Sequence, residues 1–271
     1  MPKVYDVTTC FNELMLLDLR MSILNDSVDY FIINEAPLTF SGKPKPLFFW
    51  ENRDKFTKFA HKIIHNVYEE EKEGWDQWDR DKNHKNGAMQ ALEGVANDDD
   101  VIIYSDCDEI LESSVVDFSK TKNDTLYIAM QRCFYYYLNT EWREKGKSEL
   151  TWRGSRYSTY GFLKQHSFDA FRSYDGYFYQ NQLFKKEYIP NAGYHFSFLG
   201  GQENIKYKIS SYGHIEMNVP IIRDNLQNNI NMLRDPFFRP NFEIIPIPIS
   251  IETHPKYLID HIDEYQEYIY N

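Results

Sequence analysis

Apolar residues fall along this chain in short runs set apart by polar, glycine- and proline-bearing stretches. Val4–Thr9 reads as a first strand. Phe11-Asn12-Glu13 then leads into a helix with Asn12 as its expected N-cap, in which Leu14, Leu17, Met21 and Leu24 recur at helical spacing as a buried stripe. Residues 28–34, VDYFIIN, predict a second strand, and residues 36–46, APLTFSGKPKP, a loop that carries Lys43 and Lys45 to the same sheet edge. A helix over 51–60, a third strand over 62–68 and a longer helix over 78–96 follow. Residues 101–104, Val-Ile-Ile-Tyr, come directly after four polar residues and form a β-branched run, the pattern of a strand covered on both faces. Strand and helix thus alternate from residue 4 to residue 104, which predicts an α/β fold with a Rossmann-like, mostly parallel sheet. Three strand ends converge in that arrangement: Thr8 to Cys10, Asn34-Glu35 and Asp106 to Glu109.

The pattern changes near residue 120. Residues 125–138, TLYIAMQRCFYYYL, are long and aromatic and predict one bent strand or two. Residues 152–156 and 174–176 read as turns, 182–188 and 194–198 as strands, and the stretch between Gly200-Gly201 and Tyr212 as a short helix. A helix is expected over 224–233 and a terminal one over 256–270. Residues 244–251, IIPIPISI, suit an edge or wrapping segment, because Pro246 and Pro248 lack the donors a central strand needs. With no internal repeat and no low-complexity linker, residues 1–271 read as a single domain whose halves, about 1–120 and 121–271, differ in role.

Composition narrows the classes of function. A formal net charge of −11 with scattered Lys and Arg argues against a nucleic-acid partner. Cys10, Cys107 and Cys133 are odd in number and lack metal-ligand spacing, so a reducing compartment is expected and no zinc site. The N-terminal MPKVYDVTT runs into a strand without a charged leader, and no apolar run is long enough to span a membrane. The expectation is a soluble, cytoplasmic protein. The 21 Tyr and 19 Phe serve cores and sugar-binding surfaces alike.

The candidate chemistry lies in VIIYSDCDEILE, where the fourth strand ends in Asp106, Asp108 and Glu109. In open α/β sheets ligands bind outside the C-terminal strand ends. Asp106 and Asp108 leave an extended chain on the same face and would repel unless a proton or cation sat between them. One reading is a hard-cation site; the other is a solvated acidic turn at the start of a helix.

Taken together, FNELMLLDLRMSILNDSVDYFIINEAPLTFSGKPKPLFF, DDDVIIYSDCDEI, NAGYHFSFLGG and KYKISSYGHIE resemble glycosyltransferase family 17, the family of the β-1,4-mannosyl-glycoprotein 4-β-N-acetylglucosaminyltransferase. The resemblance runs from about Val4 to about Leu233. It implies a GT-A type fold, a nucleotide-sugar donor (UDP-GlcNAc above all), a glycan or glycoconjugate acceptor, Mn²⁺ or Mg²⁺, and inversion at the anomeric carbon. The halves would then be a donor-nucleotide half and an acceptor half.

On that resemblance Asp108 is the first choice as a direct metal ligand, with Asp106 acting through water or holding the ribose, since a cation held by carboxylates neutralises a departing diphosphate. His195, in GYHFS, is either a late metal or diphosphate ligand or a hydrogen-bonded core histidine. Thr8, Glu13 and Glu35, at or near the first two strand tips, would face uracil or ribose, although Glu13 could equally serve the neighbouring helix. Lys85, Lys206 or Lys208 would meet the diphosphate, unless they are solvated helix faces. Inversion needs a general base; Glu216 is placed first, then Asp175 and Glu109. Trp142, Trp152, Tyr157 and Tyr160 would stack on a sugar or form core. Two readings remain, a metal-dependent inverting transferase and an inactive nucleotide-sugar or carbohydrate-binding protein on the same scaffold.

Overall fold

A computed structural model describes residues 2–147, 152–173 and 185–271. The first half runs β1 (Val4–Thr9), α1 (Leu14–Leu24), β2 (Tyr30–Glu35), a one-turn α2 (Phe48–Glu51), β3 (Ile63–Val67), α3 (Gln77–Gly87) and β4 (Val101–Asp106). Its strands lie in the order β3-β2-β1-β4 and are all parallel, with Val4 opposite Val101 and Thr9 opposite Asp106. Alternate residues feed two cores. Phe31, Ile33, Val101 and Ile103 pack with Leu17, Met21 and Leu24 of α1 on one face, and Tyr5, Val7, Ile32, Ile102 and Tyr104 with Leu92, Leu163 and Phe168 on the other. This two-sided cover is why the strands read as near-continuous apolar runs.

The second half adds β5 (Glu109–Leu111), β6 (Thr125–Tyr135), β7 (Thr140–Glu144), β8 (Trp152–Thr159), α4 (Tyr160–Leu163), α5 (Phe168–Ser173), β9 (Lys185–Ile189), β10 (Gly193–Ser197), α6 (Gly201–Ser211), α7 (Pro220–Asn231), β11 (Phe242–Pro246) and α8 (Lys256–Asp260). The sheet continues past β4 through antiparallel β8 and β6 to β7 and β11. β6 slips register at a bulge between Ile128 and Met130. Before the bulge it pairs with parallel β9, and beyond it with parallel β10, which in turn holds β5 antiparallel. Proline-bearing β11 pairs, among the described residues, with β7 alone and forms an edge.

Several elements differ from expectation. Residues 152–156 lie in β8 and not in a turn. Gly154 is there for packing, since a Cβ at that position would fall 1.6 Å from the Gln131 amide oxygen. The N-cap position of α1 belongs to Glu13, not Asn12, and no side chain caps it. The helix expected over 51–60 is divided into α2 and a 3₁₀ segment, Arg53–Phe59, with Phe56 at φ −107°. The helix expected over 78–96 is α-helical only to Gly87, whose Cβ would meet the Tyr68 ring. The terminal helix over 256–270 is one short α-helix followed by 3₁₀ turns. Residues 174–176 and 182–184 lie outside the described residues.

Candidate active site

The C-terminal ends of β1 and β4 open into a cleft of about 530 Å³, within the range of small-molecule sites. Its walls come from both halves of the chain. Phe11 and Glu13 follow β1, Leu38 to Phe40 and Lys45 follow β2, Asp81 and Lys85 come from α3, and Asp106 to Glu109 form the floor. Trp152, Arg172, His195, Lys208 and Arg239 close it from the second half.

The floor is braced from beneath by Arg20 of α1, which is fully buried. Its Nε and Nη2 donate to the Asp6 carboxylate at 2.7 and 2.6 Å, and Nη2 also donates to Ser105 Oγ at 2.8 Å. Its Nη1 donates to the carbonyls of Asp106 at 3.0 Å and Glu109 at 2.7 Å. All five N–H groups of the guanidinium are used, and the turn bearing the carboxylates is fixed to β1 and α1.

Every carboxylate of the motif is paired with a cation, Asp106 and Glu109 sharing one. Lys208 Nζ donates to Asp108 Oδ2 at 2.6 Å and lies 3.3 Å from Glu13 Oε1. His195 Nε2 is 3.5 Å from the same Asp108 oxygen, while its Nδ1 is 3.3 Å from Cys133 Sγ. Arg172 donates to Asp106 Oδ2 at 3.0 Å and to Glu109 Oε1 at 2.6 Å. Trp152 Nε1 donates to the same Glu109 oxygen at 2.9 Å, and its ring stacks on His195 at 4.1 Å between centroids. A network therefore runs from Asp106 through Arg172, Glu109 and Trp152 to His195 and Asp108.

Burial opposes the Asp108 charge, but Lys208 and His195 outweigh it and hold the carboxyl far below the usual range. Asp106 is likewise lowered against burial, by Arg172 and then Lys85. Burial would lower the His195 imidazole; Cys133 and Asp108 reverse this and raise it to about 10. Asp81 moves the other way. It lies 2.5 Å from Lys85, yet burial raises its carboxyl above the ordinary value.

Of the residues expected in the site, Glu13, Lys85, Asp106, Asp108, Glu109, His195 and Lys208 line the cleft. Four others do not, and one is not described. Thr8 is buried with its hydroxyl on the Ser105 carbonyl at 3.0 Å. Glu35 is buried and accepts from the backbone N–H of Phe49 and Trp50 at the start of α2, with His65 at 2.9 Å, so it caps a helix. Lys206 is tied to Glu203 at 3.2 Å. Glu216 is exposed and paired with His214 at 2.7 Å, which lowers its basicity. Asp175 lies outside the described residues. Trp142, stacked on Phe242, and Tyr157, stacked on Tyr127, are buried, as is Tyr160, so these three form core.

The carboxylate oxygens and the imidazole suit Mg²⁺ or Mn²⁺. Two neighbouring donors on one octahedral ion of this size lie roughly 3 Å apart, a spacing that Asp108 Oδ2 and His195 Nε2, at 3.5 Å, approach. Among the described residues no group of three His, Cys, Asp or Glu side chains is arranged to hold an ion unaided. The residues thus fit an ion that completes its shell with ligand oxygens. His195 Nε2 faces Asp108 while Nδ1 rests against Cys133 Sγ, so an ion taken up through Nε2 must displace the proton that Asp108 helps the imidazole to hold.

Arg20, Asp81 and Arg172 escape a reading of the sequence. Arg20 sits in an apolar helix stripe, Asp81 in a run of charged residues, and Arg172 is 66 residues from Asp106. An Arg inside LLDLRM, at a core position of the helical repeat, is the one signal that could have pointed to Arg20.

The model of glycosyltransferase family 17 matches residues 1–232. Among solved structures the chain is similar to an active-site mutant of LgtC, at a TM-score of 0.34 and 10% sequence identity, over 92% of this chain and 88% of that one. No curated protein matches. No helix among the described residues is long and apolar enough to cross a membrane.

Proposed function

This chain belongs to glycosyltransferase family 17, and from that premise we propose that it moves N-acetylglucosamine from UDP-GlcNAc to a glycan hydroxyl, with inversion, using Mn²⁺ or Mg²⁺. The observation that carries the reading is Asp108, a buried carboxylate in the turn just beyond the end of parallel β4, ionised and facing a nucleotide-sized cleft beside His195 and Lys208. Asp108 and His195 would hold the cation with Asp106 alongside, and the cation would supply Lewis-acid neutralisation of the diphosphate as it departs. Lys208, which lines the cleft beside Asp108, adds positive charge where that diphosphate leaves. Arg172 and Trp152 keep Asp106, Glu109 and His195 in one orientation, so little reorganisation is needed during reaction. Residues 1–120 then form the donor half and residues 121–271 the acceptor half of one domain, meeting at the cleft. Three buried, free cysteines support a reducing compartment.

Asp81 replaces Glu216 as the general base. It lines the cleft, and burial makes it more basic than an exposed carboxylate. The test is release of UDP from UDP-GlcNAc with Mn²⁺, with and without N-glycan acceptors. Acceptor should stimulate release by the wild type, and Asp81→Asn should lower kcat, leave donor KM nearly unchanged and remove the acidic limb of the pH profile. Tight UDP-GlcNAc binding without release for any glycan would instead favour the inactive binding protein.

A further inference from the structure

Asp108 carries a cation of its own before any ligand arrives. Lys208 Nζ sits 2.6 Å from Oδ2, the oxygen that also faces His195, and 3.3 Å from Glu13, so the ammonium is held between two carboxylates at the mouth of the would-be metal position. Lys208 lies in the last turn of α6, where the helix C-terminus favours positive charge. Its position is therefore a stable one, and both carboxylates strengthen its hold on the proton. A divalent cation approaching Asp108 meets a charge of the same sign on the oxygen it needs. It also meets a site that lacks, among the described residues, three protein ligands of its own.

We propose that Lys208 is the resident counter-ion of Asp108 in the nucleotide-free protein, and that the donor diphosphate draws it away, so that metal and nucleotide bind cooperatively. This rests on the donor site proposed above but goes beyond it, to the order of binding. The diphosphate does two things at once: it offers the ammonium a more highly charged partner than Asp108, and it supplies the oxygens that complete the metal shell. Removing the lysine charge separates the two effects. Metal should then bind the free protein more tightly while gaining less from nucleotide, since a coupling free energy is lost from both ligands alike.

The experiment is a Mn²⁺ titration of the full chain, followed by electron paramagnetic resonance, alone and with saturating UDP. It compares wild type, Lys208→Met and the charge-preserving Lys208→Arg, each checked for a folded melting transition. UDP should tighten Mn²⁺ binding to the wild type by about tenfold or more. Lys208→Met should bind Mn²⁺ alone about tenfold more tightly than wild type and respond less to UDP, and Lys208→Arg should remain weak alone. Equal Mn²⁺ affinity of free wild type and free Lys208→Met overturns the proposal, and so does a wild type indifferent to UDP. If that wild type still transfers sugar, the coupling fails while the function stands; if it binds neither Mn²⁺ nor UDP, both fail.

Discussion

At the scale of single residues, the site is a set of carboxylates each matched with a cation, and this fixes the sign of the first prediction. The sequence shows two aspartates two residues apart, from which repulsion, and relief on removing one, would be expected. In the fold Asp106 and Asp108 are separately neutralised by Arg172 and Lys208. Asp108→Ala should therefore lower the stability of the ligand-free protein, because Lys208 and His195 lose their shared partner, by about 1–3 kcal/mol. Thermal and chemical denaturation measure it, and a mutant as stable as wild type, or more so, would show that the pairing contributes nothing. Asp106 and Asp108 were legible as cleft residues because a β-branched run ends in them, and His195 only through the family resemblance. Their partners were not. Arg172 and Lys208 reach Asp106 and Asp108 across 66 and 100 residues of chain, and a cation on a polar helix looks the same in sequence whether it faces water or a buried carboxylate. The choice posed for His195, core or site, dissolves too: it is buried, stacked on Trp152, and still lines the cleft.

Among the elements, β8 shows how a packing requirement can imitate a turn signal. Residues 152–156, Trp-Arg-Gly-Ser-Arg, combine glycine with polar residues, yet they fill the place between β4 and β6. Gly154 admits the Gln131 side chain, whose Nε2 donates to the Ile110 carbonyl at 3.1 Å and to Ser155 Oγ at 3.0 Å behind the floor of the cleft. Gly154→Ala should push that amide off both partners and destabilise the protein by about 1–3 kcal/mol. Gln131→Ala in the same background should recover part of the loss, since it removes the obstructing group. Additive losses in denaturation of the double mutant would mean that the two positions do not meet. Parallel β1 to β4 were readable because both faces are covered and the runs are apolar throughout. Helix ends were not, because Glu35 starts α2 from a neighbouring strand, a tertiary contact, and α3 passes into a 3₁₀ turn at Gly87, where the Tyr68 ring leaves no room for a side chain.

For the molecule as a whole, two buried neutral histidines set the acid response of stability. Burial lowers His84 to about 3, helped by Lys45 and Lys85, and lowers His254, which bonds the Leu138 carbonyl at 2.9 Å, to about 4. The unfolded chain takes up these protons near pH 6.5 and the folded one only at the lower values, so the unfolded state binds more protons in between and stability falls as pH falls. From pH 6 to pH 5 the loss should be about 2–3 kcal/mol for the pair. His195, raised instead, is protonated in the folded state and mostly so in the unfolded one across that window, and adds little slope there. Urea denaturation at the two pH values measures the loss, and an unchanged stability would contradict the burial of these rings. The alternation of strand and helix made the parallel half legible as a whole, whereas the order of the second half depends on β6 changing partners at its bulge, which no local pattern records. What the whole fold achieves is to place Asp108, with a cation on each side, at the floor of a cleft shared by both halves. The measurement that tests this most directly is calorimetric binding of UDP to wild type and Asp108→Asn, each with and without Mn²⁺. Mn²⁺ should tighten UDP binding to the wild type and have no effect on Asp108→Asn; equal tightening in the two proteins would contradict the assignment of Asp108 to the donor site.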